Sequence, residues 1–187
     1  ISDDGRGIPI DKHPKKKKTA LEVVMTTLHS GGKFNNNIYK SSAGLHGVGL
    51  SVVNALSSKL NIKITKNSKI FDQDYSKGKV LNKIKSKGTN KIKSGTQITF
   101  SPDPEIFGKE INFKPEKIYE LTKNKAYLQK GIKINWECNK NLLNRKSQVP
   151  SKETLIFTKG IEDFLKNEIN QKNILHEKVC FQSGNLE

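Results

Sequence analysis

The 187-residue chain holds only two cysteines, Cys138 and Cys180, far apart and without a metal-ligand spacing. A reduced, cytoplasmic protein is the reading this supports. No run approaches the roughly 18 apolar residues of a membrane span. No signal peptide is visible, and no membrane partner is expected. Arginine is nearly absent: Arg6 and Arg145 are the only two among the 34 Lys and Arg. The net charge of +16 therefore comes from lysine. Asparagine and isoleucine are abundant too, so the excess fits AT-biased codon usage as well as it fits DNA. The run Lys15–Lys18 reads as a solvated loop face. Hydrophobic residues make up 33%, low but enough for a core. The length suits one domain, or a domain plus a stub.

The pattern along the chain is mixed α/β, with no internal repeat. Thr19 caps an expected helix through about His29, with Leu21, Val24, Met25 and Leu28 at helical spacing. Residues 30–46, rich in Gly, Ser and Asn, form a long loop expected to serve as a lid. A helix follows to about Ser57, then a strand on which Leu60, Ile62 and Ile64 alternate. Residues 66–94 hold short strands between Lys-, Gly- and Asn-rich turns. Thr96–Phe100 is another strand. Pro115 opens a helix to about Gln129. Ile132, Ile134 and Trp136 alternate as a strand, as do Leu155 and Phe157. Ile161–Ile169 is the last helix.

Two segments carry chemistry. Residues 1–9 read ISDDGRGIP and residues 31–54 read GGKFNNNIYKSSAGLHGVGLSVVN. Ile1-Ser2-Asp3 reads as the end of a buried strand with Asp3 at its mouth. A carboxylate there can accept a hydrogen bond from an exocyclic amine such as that of adenine. Gly5 and Gly7 permit close backbone approach, and Pro9 stiffens the exit. In the second segment Gly44, Gly47 and Gly49 flank Leu45, His46 and Val48 ahead of a helix. Such a loop offers unpaired N–H groups to an anion. Lys33 adds a mobile cation for phosphate and Tyr39 a phenolic donor. Each motif alone is weak: D-x-G-x-G is often only a turn, and Lys33 and His46 in isolation read as ordinary loop residues. Their order and separation make a nucleotide site in two halves.

DDGRGIP, LHSGGKF, GLHGVG-x-SVVNALS and GT-x-ITF-x-PDPEIF stand here in the order found in the ATPase domain of bacterial type II topoisomerase B subunits. The chain resembles that family over essentially its whole length. FGKEINFKPEKIYELTKNKAYL is more similar to the topoisomerase IV branch than to the gyrase branch. The resemblance implies an α/β two-layer sandwich: a mixed, mostly antiparallel sheet with helices on one face, the ATP-binding fold shared with Hsp90, histidine kinases and MutL. Residues 1–172 would form the ATP-binding domain, and residues 173–187 the start of a transducer domain.

The resemblance also implies roles. Asp3 would take the adenine amine, with Gly5, Gly7 and Ile8 beside it and Arg6 and Pro9 on the outer rim. Lys33 and Tyr39 would reach the phosphates. Gly44, Leu45, His46, Gly47, Val48 and Gly49 would give them backbone N–H groups, and Thr96 would close the adenine pocket. The cofactors implied are ATP and Mg²⁺. The partners implied are DNA, a topoisomerase A subunit in an A2B2 heterotetramer, and self-dimerisation on ATP binding, in a nucleoid-associated setting. The family's general-base Glu and Mg²⁺-binding Asn would be expected on a helix upstream of Ile1. No catalytic residue and no metal ligand are expected within residues 1–187, and this chain alone is expected to bind ATP far better than it hydrolyses it. Ala43 and Lys66 depart from the family's frequent Gly and Arg. The alternative readings are a B subunit of the gyrase branch, which introduces negative supercoils, another ATPase of the same group, or a non-enzymatic basic module that binds nucleic acid.

Overall fold

The computed structural model describes residues 1–13, 17–30, 47–89, 91, 94–143 and 147–169. The chain divides into two compact units, Ile1–Ile111 and Asn112–Glu187.

The first unit is built on a sheet. Strand β1 is Ser2–Asp3, β2 Ser57–Lys66, β3 Lys69–Ser76, β4 Lys79–Val80, β5 Lys85–Thr89 and β6 Ser94–Pro102. Their order is β1-β6-β2-β3-β4, with β5 also on β3. Every pairing among the described residues is antiparallel. Helix α1 spans Ala20–Thr26 and α2 Gly49–Ala55. In β2 the period of two sends Leu60, Ile62 and Ile64 to one face, all nearly inaccessible to solvent. Leu21 and Met25 of α1 and Tyr75 of β3 complete that core, and Leu50 and Val53 of α2 and Ile98 and Phe100 of β6 pack around it. The result is the expected two-layer sandwich with helices on the apolar face. A short helix α3, Pro104–Phe107, is capped by the buried Asp103, whose Oδ1 accepts from Glu105 N at 3.1 Å.

The opposite face of the sheet is polar. Asn61 Nδ2 donates to Asp72 Oδ1 at 2.5 Å and to Asp74 Oδ1 at 2.7 Å, and Asn82 Nδ2 donates to Asp74 Oδ2. Lys87 pairs with Asp72. Burial alone raises the Asp72 pKa, but the hydrogen bonds from Lys87 and Asn61 and the charges of Lys87 and Lys63 outweigh it and hold the carboxyl below its ordinary value.

The second unit has strands β7, Lys133–Glu137, and β8, Lys152–Ile156, paired antiparallel, with helices α4, Pro115–Leu128, and α5, Ile161–Ile169. Rings hold it. Tyr127 stacks on Phe157 with centroids 3.7 Å apart and meets Phe164 edge-on, and Tyr119 meets Trp136 edge-on at 5.5 Å. The Trp136 indole N–H donates to Pro150 O at 2.8 Å.

Three expectations need correction. The strand at Ser2–Asp3 is exposed, and among the described residues it pairs on one side only. The first helix stops at Thr26 rather than near His29, and Ser30 Oγ turns back to donate to Val23 O and Thr27 O. His29 takes a positive φ of 55°, which no helix continues. The second helix ends at Ala55, so that Ser57 already opens β2. The lid expected at residues 30–46 lies, after Ser30, outside the described residues, as does the transducer start expected at 173–187.

Candidate functional site

Strand β1 lies on the β6 edge of the sheet in a fixed register, Ser2 opposite Gln97 and Asp3 opposite Thr96. Ile1 extends the ladder by one residue: its carbonyl accepts from Ile98 N at 2.8 Å and its amino group donates to Ile98 O at 3.0 Å. Directly opposed residues of an antiparallel pair share a face. Thr96 is in turn opposite Ile64, a core residue. The Asp3 and Thr96 side chains therefore project to the helix-bearing face, where α2 also lies against α1, β2 and β3. Thr96 is buried, whereas Asp3 at the strand's end is exposed.

The chain turns sharply after Asp3. Asp3 Oδ1 accepts from Gly5 N at 2.9 Å, an Asx-type bond that curls the backbone back over the strand end. Two glycines allow the curl. Gly7 has φ +74°, and a Cβ on it would come within 3.1 Å of Ile64 Cγ2 and of Thr65 O. A Cβ on Gly95 would overlap the Asp3 backbone oxygen. Both residues let one stretch of backbone lie flat on another. Gly7 thus has a packing requirement of its own, set by protein atoms. Arg6 and Pro9 are exposed while Ile8 and Ile10 pack against the core, so the loop is anchored on alternate residues.

Gly47 and Val48 are half-buried and lead into α2, with Gly49 its first residue. Ser51 Oγ donates to Val48 O at 3.0 Å, alongside the helical bond from Val52 N. Asn54, on the same helix, is fully buried. Its Nδ2 donates to Met25 O at 2.9 Å, and its Oδ1 has no hydrogen-bond partner among the described residues. An unpaired buried acceptor costs about 1–3 kcal/mol.

Of the residues singled out in the sequence, Asp3, Gly5, Arg6, Gly7, Ile8, Pro9 and Thr96 lie together at the β1–β6 edge, and Gly47, Val48 and Gly49 stand at the start of α2 on the same face. Lys33, Tyr39, Gly44, Leu45 and His46, with Ala43, lie outside the described residues. Lys66 pairs with Asp11 at 3.0 Å at the end of β2. In the lysine run Lys18 lies 3.9 Å from Glu22 on α1, while Lys15 and Lys16 are outside the described residues. Sequence reasoning missed Gly95 and Asn54. The signal for Gly95 was a glycine directly before the strand threonine, and for Asn54 a carboxamide directly after Val52 and Val53 in a helix.

A carboxylate with one oxygen turned to its own loop keeps lone pairs for an amine donor. A magnesium ion is a different matter. Among the described residues no three His, Cys, Asp or Glu gather to hold a metal, so these residues provide no protein cage for one.

A family model for histidine kinase-, DNA gyrase B- and HSP90-like ATPases matches residues 1–106, the stretch that contains the whole β1–β6 edge and α2. The chain belongs to this ATPase family. Among the family's relatives it is 50% identical over 188 residues to the B subunit of DNA topoisomerase 4 from Rickettsia felis, covering 100% of this chain and 28% of that protein. It is 46% identical over 166 residues to the corresponding subunit from Caulobacter vibrioides, covering 88% and 24% respectively. The B subunit of DNA gyrase from Streptococcus pyogenes is 36% identical over 187 residues, covering 100% and 28%. Among solved structures, the 43K ATPase domain of Thermus thermophilus gyrase B in complex with an aminocoumarin superposes with a TM-score of 0.74 at 35% identity, over 95% of this chain and 42% of that one. The chain thus spans 28% of the length of its Rickettsia relative. No helix among the described residues of this ATPase-family chain is long and apolar enough to cross a membrane.

Proposed function

We propose that the chain is the ATP-binding part of a type II DNA topoisomerase, from a B subunit of the topoisomerase IV kind, in which ATP binding and hydrolysis drive dimer closure and DNA strand passage. The observation that carries the nucleotide half of this reading is the register of Asp3 on Thr96 at the end of an edge strand. It sets an acceptor-only carboxylate on the face that also carries α2. In this reading Asp3 accepts a hydrogen bond from the adenine 6-amino group, Thr96 closes the pocket beside it, and Gly5, Arg6, Gly7, Ile8 and Pro9 form the wall and rim. Gly47, Val48 and Gly49 turn backbone N–H groups toward the phosphates, joined by Lys33, Tyr39, Gly44, Leu45 and His46. A helix start favours negative charge there through its unpaired N–H groups. Mg²⁺, when bound with ATP, neutralises phosphate charge, and these residues leave its protein ligands to other parts of the protein. The higher identity to topoisomerase 4 than to gyrase favours decatenation over negative supercoiling. The whole protein's partners in this reading are DNA, an A subunit and a second copy of itself, in the cytoplasm. Residues 173–187 would begin the transducer domain.

The test is Asp3→Asn in the natural full-length protein, with ATP-analogue affinity read by calorimetry. An amide presents a donor where a lone pair is needed, and losing a charge-assisted bond should cost about 1.5–3 kcal/mol. Unchanged affinity would remove Asp3 from the site. Reconstitution with the A subunit then separates the branches: ATP-dependent negative supercoiling of relaxed plasmid would identify a gyrase.

A further inference from the structure

We infer that the face of the sheet turned away from α1 and α2 binds the phosphate backbone of duplex DNA. This names a surface for the DNA partner of the reading above and rests on that reading. The pairing registers define the face. Leu60, Ile62 and Ile64 of β2 point into the core, so Lys59, Asn61 and Lys63 point the other way. Lys63 stands between Gln97 of β6 and Asp72 of β3, and Asp72 in turn is opposite Lys85 of β5. Thr99 and Ser101 of β6 share the face, opposite Asn61 and Lys59. Lys59, Lys63, Lys85, Gln97, Thr99 and Ser101 are all exposed.

The charges on this face are sorted by sign. Every exposed charged residue of β2, β3, β5 and β6 is a lysine. The two carboxylates of the face are withdrawn. Asp72 is buried and paired with Lys87, and Asp74 has both oxygens taken, by Asn61 and Asn82. Lys59, Lys63 and Lys85 form no ion pair among the described residues. A sheet face in water needs polar side chains, but it does not need them to carry one sign. The spread of the charges tells what they fit. Lys59 and Lys63 are four residues apart on β2, about 13 Å, and Lys63 and Lys85 are two strands apart, about 10 Å. Ammonium groups so separated do not close on one small anion. They match a polymer that carries a charge every ~1.7 Å along its axis. Lysine is a point charge without arginine's planar fork, which suits backbone contact rather than base readout. Gln97, Thr99 and Ser101 add neutral groups of the kind that donate to phosphate oxygens. A protein partner or a lipid surface calls for apolar anchors. Among the described residues, no exposed large apolar side chain falls on these four strands.

The experiment uses the natural full-length protein and a short DNA duplex of random sequence in excess. Lysine acylation is followed by mass spectrometry with and without the duplex. Labelling of Lys59, Lys63 and Lys85 should slow about threefold or more when phosphates cover them. Polyglutamate and vesicles of anionic phospholipid serve as the other polyanions and should leave the three lysines open. The second measurement is the salt dependence of duplex affinity in a variant carrying Lys59→Gln, Lys63→Gln and Lys85→Gln. Lys87 is kept, because its loss would leave the buried Asp72 unpaired. The log–log slope should become shallower by about 2–3 units, at about 0.9 per phosphate contact. Duplex binding that neither protects these lysines nor changes its slope in the variant overturns the inference while the DNA reading stands. A parent protein that binds no duplex removes the DNA reading and this surface with it. Equal protection by polyglutamate or by vesicles overturns the assignment to nucleic acid. Should the triple variant fail to fold, the labelling of the parent protein decides alone.

Discussion

Among its described residues the first unit buries leucine, isoleucine, methionine and one tyrosine, Tyr75, between a six-stranded sheet and two helices. The described residues of the second unit have a two-stranded sheet and fill the gap beneath it with rings: Tyr119 on Trp136, Tyr127 on Phe157 and Phe164. The difference follows from size. A two-stranded sheet offers too little area to bury many aliphatic side chains, and large aromatic surfaces make up the deficit. The consequence is functional. The wide sheet of the first unit can leave an edge to chemistry, because its core does not depend on β1. The small sheet of the second unit has no such surplus. All candidate site residues among the described ones fall in the first unit.

If the two cores are separate, a deletion in one should leave the other intact. The largest effect is expected from Tyr127→Ala, which removes the ring between Phe157 and Phe164 and the hydroxyl that accepts from Asn167 Nδ2 at 2.7 Å. Destabilisation of about 3–5 kcal/mol is the scale for a buried aromatic. Amide exchange should accelerate across α4 and stay unchanged across β2. Acceleration in both would mean that the units fold as one. Next comes Gly95→Ala, which sharpens the comparison from the other side. The added methyl meets the Asp3 backbone oxygen and forces β1 off β6. A cost of about 1–3 kcal/mol is expected. Because β1 is an exposed edge, the core of β2 and β3 should survive while nucleotide affinity is lost. A variant with native affinity would show that the β1 register is not what places Asp3.

Much of this division was legible in the sequence, and where it was not the reasons are local. Ile1-Ser2-Asp3 shows the composition of a strand end but not its neighbours, and exposure is set by neighbours. Leu28 kept the apolar spacing of α1, yet the helix ends at Thr26: Thr27 leaves helical backbone, His29 takes a positive φ, and Ser30 Oγ adds a bond to Val23 O beside the one from Thr27 N. Spacing records which face is apolar; it does not record a hydroxyl four positions on. Thr96 falls on its strand as expected because a strand's period carries position along with face. Asn54 was passed over because its hydrogen-bond partner, the Met25 carbonyl, is 29 residues away.

A smaller effect tests the frame of the first unit. Thr19 Oγ1 accepts from Glu22 N at 3.1 Å and caps α1. Thr19→Ala should cost about 1 kcal/mol, the usual scale for a lost cap. It should lower the melting temperature of the first unit without changing the ratio of ATP-analogue to adenosine affinity. A changed ratio would mean that the seating of α1 reaches the nucleotide site itself.

The smallest effect is in the pH dependence of stability, where the two units should part in opposite directions. In the first unit Asp72 has its pKa lowered: burial works against ionisation, and the Lys87 and Asn61 bonds win. A carboxyl depressed on folding contributes stability that is present above its unfolded pKa, about 3.9, and is lost as pH falls through the lower folded value. Amide exchange in β2 and β3 should therefore rise on the acid side of about pH 4. In the second unit Tyr119 is pushed up to about 12, chiefly by burial and then by its hydrogen bond to Glu153. A group raised on folding contributes stability that is present below its unfolded pKa, about 10, and is lost as pH rises through the folded one. Exchange in α4 and β8 should rise between about pH 10 and that folded value. Tyr119→Phe should flatten the alkaline limb alone, and Lys87→Met should weaken the acid limb alone. If either substitution moves both limbs, the two units share one unfolding transition, and the separation of cores drawn from their packing is wrong.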